Sequence, residues 1–90
     1  MTTLINSFRV RKFSEWQEIF SAGEAMRSQA GVAVKGIYQS VEDENQVTVL
    51  SEIAGGLEQV KAMMSNFKDV MEKSGVISES VDIKIVSKIN

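Results

Sequence analysis

The 90 residues contain no histidine, no cysteine and no proline. Without cysteine, disulfide stapling and thiolate chemistry are excluded, and a cytoplasmic compartment is the default expectation. Without histidine, the commonest general base, metal ligand and haem ligand disappear together, so no metal site and no cofactor is expected. Aromatic residues are sparse, with one Trp, one Tyr and four Phe. The lack of proline, and of any Gly/Ser-rich or single-sign stretch, leaves no linker, so residues 1–90 are expected to form one domain around one core. A formal net charge of −2 with no basic cluster offers no electrostatic footprint for nucleic acid or an anionic membrane. No apolar run approaches the roughly 20 residues of a membrane span. The opening MTTLINSFRVRK is polar and basic where a signal peptide carries its apolar centre, so no export is indicated.

What is present is strongly patterned. Leu57, Val60, Met64, Phe67 and Met71 recur at three- and four-residue steps, with Met63 and Val70 beside them. That spacing predicts an amphipathic helix with one apolar stripe. Gly55 and Gly56 precede it, and Gly75 supplies the residue that can turn left-handed beyond its end. A first helix is predicted from Ser14, read as an N-cap with Gln17 completing a capping box, to a stop at Gly31. Its expected buried stripe is Trp16, Ile19, Phe20, Gly23 and Met26, with Arg27 placed to complement the helix dipole.

Strands are predicted over residues 3–10, 32–41, 46–53 and 81–89, with a polar hairpin turn at Glu42-Asp43-Glu44-Asn45. In the second strand, strict alternation puts Val32, Val34 and Tyr38 on one face, and Ala33, Ile37 and Val41 on the other. The order β-α-β-β-α-β, with both halves ending a helix in Gly-Val, predicts an α+β, ferredoxin-like fold. Its four-stranded antiparallel sheet carries both helices on one side. The uncovered side would then present Ile5, Ala33, Ile37, Val41, Leu50 and Val86. Such a patch exceeds what most monomers expose. A second copy packed sheet to sheet is the economical cover. Burying about 600 Å2 per subunit contributes on the order of 15 kcal/mol gross, at roughly 25 cal/mol per Å2, much of it offset by association entropy.

The segment LEQVKAMMSNFKDVMEKSGV resembles the second helix of small proteins of the dimeric α+β-barrel superfamily, the antibiotic-biosynthesis monooxygenase-like group. There a helix bearing Lys-Ala breaks at Ser-Pro or a similar pair and ends in Gly-Val. Lys61-Ala62, Ser65-Asn66 and Gly75-Val76 occupy those places, with Asn66 departing from the usual proline. Asp43, Asn45, Val47 and Val49 resemble the hairpin and third strand of the same group. The resemblance covers most of the chain and implies a homodimer. The superfamily spans monooxygenase-like enzymes, haem degraders and stress-response proteins, so the resemblance implies a fold rather than a reaction.

Four residues are candidates for a ligand site between helices and sheet: Asn6, Trp16, Tyr38 and Met63. Asn6 shares its parity with Leu4, Phe8 and Val10, and a buried amide must find partners or cost a few kcal/mol. In monooxygenase-like and haem-degrading relatives a first-strand asparagine can orient substrate; the plain alternative is a structural hydrogen bond. Trp16 could wall a pocket or pack in the core. Tyr38, close to Gly36, could offer a phenol or sit at the core edge, with Gly36 leaving space or allowing a bulge. Met63, with Met26, Met64 and Met71, is either an adaptable lining or ordinary core.

Arg9, Arg11 and Lys12 could gather an anion, or form a solvated strand end. The acidic turn lacks the spacing and glycine of a calcium loop, and nothing in the sequence brings Glu15 and Glu52 together as an acid/base pair. RNA binding is disfavoured because residues 46–53 carry no aromatics between basic residues. The expected function is binding of a small apolar or aromatic molecule with cofactor-free monooxygenase-like chemistry. The alternative is a non-catalytic dimeric structural or regulatory module, and whether the protein is an enzyme stays open at this point.

Overall fold

A computed structural model describes residues 2–90. Among them the elements run β1 (Thr2–Arg9), α1 (Phe13–Ala22), α2 (Glu24–Gln29), β2 (Val32–Gln39), β3 (Gln46–Ile53), α3 (Leu57–Lys73) and β4 (Asp82–Val86), with a 3-10 turn at Ser78–Ser80. The sheet order is β2-β3-β1-β4, and every neighbouring pair is antiparallel. This is the ferredoxin-like α+β arrangement expected from the alternation of periods.

The predicted first helix is two helices. Gly23 ends α1, its N–H donating to the Phe20 carbonyl at 3.1 Å, and its own carbonyl accepts the first bond of α2 from Arg27 at 3.0 Å. Nor does Ser14 cap it. The N-cap position is Lys12, two residues earlier, and the Phe13 N–H donates to Asn45 Oδ1 at 3.2 Å. The acidic turn holds that cap in place: Asp43 Oδ1 accepts from the Asn45 N–H at 3.0 Å, and Asp43 Oδ2 pairs with Arg9. A tertiary cap has displaced a local one, because a side chain fixed by its own loop loses little entropy in reaching the helix.

α3 runs unbroken through Ser65-Asn66, where the family resemblance implied an interruption. Asn66 keeps the backbone N–H that a proline would remove, so the ladder continues. Gln59 Oε1 accepts from the Gly56 N–H at 2.8 Å at its start, and Gly75 leaves its end at φ +90°. The outer strands are shorter than predicted. Val41 lies beyond β2, and Ile89 beyond β4, both fully exposed.

β2 departs from strict alternation. Val34 pairs with Ser51 but Gly36 with Leu50, so Lys35 is an extra, bulged residue. Downstream parity reverses. Ile37, opposite the buried Val49, joins the helix side of the sheet, and Tyr38, opposite Thr48, goes to the other side. The Tyr38 ring lies so close over Gly36 that a Cβ there would meet its hydroxyl at 2.7 Å. The face away from the helices therefore carries Ile5, Ala33, Tyr38, Leu50 and Val86, without the Ile37 and Val41 assigned to it by alternation.

The helix side of the sheet does not hold one continuous core. One cluster gathers Phe8, Val10, Trp16, Val47, Val49 and Val76. Another gathers Leu4, Val32, Ile53 and Val60, with Met63, Met64 and Ile83 against it. Along β1 the division falls at Asn6, between Leu4 and Phe8. Along β3 it falls at Ser51, between Val49 and Ile53. Two polar side chains at inward positions interrupt the apolar surface where the core parts.

Candidate functional site

A cavity of about 360 Å3 opens at that division, floored by the sheet and walled by α1, α2 and α3. Its volume lies within the range of small-molecule sites, roughly 300–1,000 Å3. Leu4, Phe8 and Val49 line the floor beside Asn6 and Ser51; Met63, Met64 and Phe67 line the α3 side. Ile19 and Met26, expected in a packed stripe, border the cavity instead and are about two-fifths and one-half exposed (37% and 48%). Apolar stripes on three helices thus meet around space rather than around each other.

Asn6 Oδ1 is buried and has no hydrogen-bond partner. Its neighbours across the ladder are Val49 and Ile83, which offer no side-chain donor. Ser51, opposite Leu4 and one inward position along from Val49, brings a hydroxyl to the same floor. On the far wall stands Arg27. Its Nη1 donates to the Phe20 carbonyl at 2.6 Å, and its guanidinium lies 3.8 Å from the centroid of the Phe20 ring. Burial lowers its pKa from the ordinary arginine value, opposed by the nearby Glu24 carboxylate. Lys68 and Glu72, one turn apart on α3, complete the charged lining.

Two of the four residues singled out by sequence, Asn6 and Met63, line this cavity together. Trp16 does not. It is 2% exposed, stacked on Phe20 at 4.8 Å between ring centroids and packed against Phe8 and Phe13, as a core residue. Tyr38 does not either, because the Lys35 bulge sends it to the opposite side of the sheet. Glu52 is drawn to that side too, 3.5 Å from Lys35 Nζ, far from Glu15 on α1. Arg9 is neutralised by Asp43 rather than free for an anion, and the turn carboxylate is spent on Arg9 and Asn45. Among the described residues no group of three or more His, Cys, Asp or Glu could hold a metal ion. Nor, among the described residues, is any helix long and apolar enough to cross a membrane.

Sequence reasoning did not place Ser51 in the site and gave Arg27 only a role at the helix dipole. The signal for Ser51 was the same as for Asn6, a polar residue in parity with Val47, Val49 and Ile53. Arg27 gave none, since its orientation depends on Gly23 turning α2 back over Phe20.

Residues 1–88 match the model of a domain of unknown function, DUF3764. The chain belongs to the DUF3764 family. No curated protein matches it. Solved structures with the same fold include a candidate antibiotic biosynthesis monooxygenase from Bordetella bronchiseptica, at TM-score 0.78 and 12% identity over 99% of this chain and 97% of that one. SnoaB, a cofactor-independent oxygenase from Streptomyces nogalater solved as an asparagine-to-alanine variant, gives TM-score 0.75 and 10% identity over 99% and 93% of the two chains. A further candidate antibiotic biosynthesis monooxygenase, from Nitrosomonas europaea, gives 0.61 and 15% over the full length of both. This DUF3764 chain therefore has the antibiotic-biosynthesis-monooxygenase-like ferredoxin fold. At such identities the likeness carries architecture and leaves the chemistry to the site.

Proposed function

We propose that this DUF3764 protein binds a small aromatic molecule in the cavity between helices and sheet and oxidises it without a cofactor. The observation that carries the reading is Asn6 Oδ1, an acceptor buried without a partner on the floor of a mostly apolar cavity. A buried acceptor left unpaired costs about 1–3 kcal/mol. A hydroxylated aromatic ring supplies what is missing: its O–H donates to Asn6, and its faces meet the adaptable thioethers of Met63 and Met64. A second ring hydroxyl gives up its proton to solvent, and the resulting anion reduces O2: one oxygen atom enters the ring as a quinone carbonyl and the other leaves as water, carrying the two hydrogens the ring loses. Such chemistry asks the protein for orientation and exclusion of water rather than for a metal, a thiolate or an imidazole. A cofactor-independent oxygenase on the same fold supports the reading at the level of architecture.

The protein acts in this reading as a homodimer, with the outer faces of two sheets packed together through Ile5, Leu50, Tyr38 and Val86. Tyr38 and Val86 are about half and two-fifths exposed in the single chain (55% and 41%), which a second sheet would cover. The test is a titration with a dihydroxynaphthalene, followed by O2 uptake at an electrode, on the wild type and Asn6→Ala. Losing the acceptor is expected to weaken binding about fivefold or more and to lower O2 uptake. Equal affinity and equal uptake would remove Asn6 from the site. Binding with no O2 uptake in the wild type would leave a non-catalytic binding module.

A further inference from the structure

The cavity presents a cation that closes no ion pair among the described residues. A guanidinium has five N–H donors, and for Arg27 the single hydrogen bond among the described residues is the one to the Phe20 carbonyl. The ion pairs described are Arg9 with Asp43 and Lys35 with Glu52; neither involves Arg27. Glu24, three residues before it, acts on it through space without closing an ion pair. Burial has nonetheless stripped part of its hydration, which is why its pKa falls. An arginine stays protonated even so. A partly desolvated charge with unused donors is costly to the empty protein and is offset when an anion arrives.

The surroundings also fix where that anion would sit. Arg27 borders a second hollow against β2, shared with Phe20, Glu24 and Ile37. Glu24 makes that side repulsive to an anion. On the side of the cavity above Asn6 the wall charges are Lys68 and Glu72, which offset each other, and the rest of the lining is mostly apolar. Stacking on Phe20 and the bond to its carbonyl hold the guanidinium plane in place, so little rotamer freedom remains to be lost on binding.

We propose that the ligand of this cavity is an apolar acid: a body packed against Met63, Met64 and Phe67, carrying one anionic oxygen group that Arg27 receives. This rests on the reading of the cavity as a small-molecule site and adds the charge of what enters it. Arg27 then selects ionised ligands over neutral ones of the same shape.

Two fluorescent probes separate the two readings. 8-Anilinonaphthalene-1-sulfonate and N-phenyl-1-naphthylamine share one apolar body, and only the first carries an anion. The full chain is expected to bind the sulfonate about tenfold or more tighter than the neutral amine, the range of a charge-assisted hydrogen bond. The preference should shrink as salt is raised. Arg27→Gln should erase it while leaving the affinity for the neutral probe within about twofold, and Arg27→Lys should restore part of it. If Arg27→Gln does not fold, as circular dichroism would show, Arg27→Met keeps the stem over Phe20 and makes the same comparison. Equal affinities in the wild type, or a preference that survives loss of the guanidinium, would overturn the proposal while the cavity reading stands. Failure of both probes to bind would overturn both.

Discussion

Replacing Asn6 by leucine is expected to raise stability and weaken ligand binding in one variant. Asn6 Oδ1 is the buried side-chain polar atom left without a partner among the described residues. Removing such an atom recovers about 1–3 kcal/mol. Leucine is close to asparagine in size, and its neighbours would be Leu4 and Phe8 along β1 with Val49 and Ile83 across the ladder, all apolar. Because the Asn6 residue as a whole is only half-buried, the lower part of the range applies, a net gain of about 1–2 kcal/mol. In a domain of this size each kcal/mol moves Tm by roughly 4–8 °C, so a rise of about 5–15 °C is expected. Calorimetry or circular dichroism would read it at one fixed protein concentration, since association makes Tm concentration-dependent. A fall in Tm of several degrees would refute the reasoning, because it would mean that the amide is already satisfied by the fold. A gain in stability with unchanged affinity would separate the vacancy from the ligand. The expected combination, a more stable and less competent protein, is the usual mark of a residue kept for function.

Trp16→Ala should cost about 3–5 kcal/mol, a large share of a small domain's stability, and show as a lowered denaturant midpoint; a loss under about 1 kcal/mol would mean that Trp16 is not the centre of the Phe8, Phe13 and Phe20 cluster. Asn45→Ala removes the acceptor of the Phe13 N–H and should cost about 1 kcal/mol by urea titration, whereas Ser14→Ala should cost a few tenths or less. Leu50→Lys places a charge on the sheet face away from the helices and should split the proposed homodimer into monomers by light scattering; a dimer that persists would locate its interface elsewhere.

The strands and the long α3 were legible in the sequence because each carries its own period, two for the strands and 3.6 for the helix, whereas the break between α1 and α2 fell at Gly23, inside what read as one continuous stripe. Asn6 was legible for a related reason: an amide in parity with Leu4 and Phe8 stands out. Three features were not, and each has a tertiary cause. The Lys35 bulge reverses the parity of Tyr38, and the adjacent Gly36 signals only that a bulge is permitted. The cap on α1 comes from Asn45, more than thirty residues away, so Ser14 lost to a competitor invisible to local reading. The stripe of α1 and α2 was read as filled core, yet Ile19 and Met26 border a cavity, since periodicity records which side faces inward and not how closely the walls approach.

The bulged Lys35 also bears on how the sheet meets other chains. Excising it would leave Val32, Val34 and Ile37 on one side and Ala33, Gly36 and Tyr38 on the other, since the bulge absorbs one residue. Its effect lies in the shape of the strand. β2 is an outermost strand, and a bulge with a lysine bends and charges a border that would otherwise offer a straight row of free N–H and C=O groups. At the opposite border, β4 is only five residues long and carries Lys84. Both borders are thereby made poor templates for strand addition. In the proposed homodimer, contact through the flat of the sheet would then be left without competition from end-on growth into fibrils.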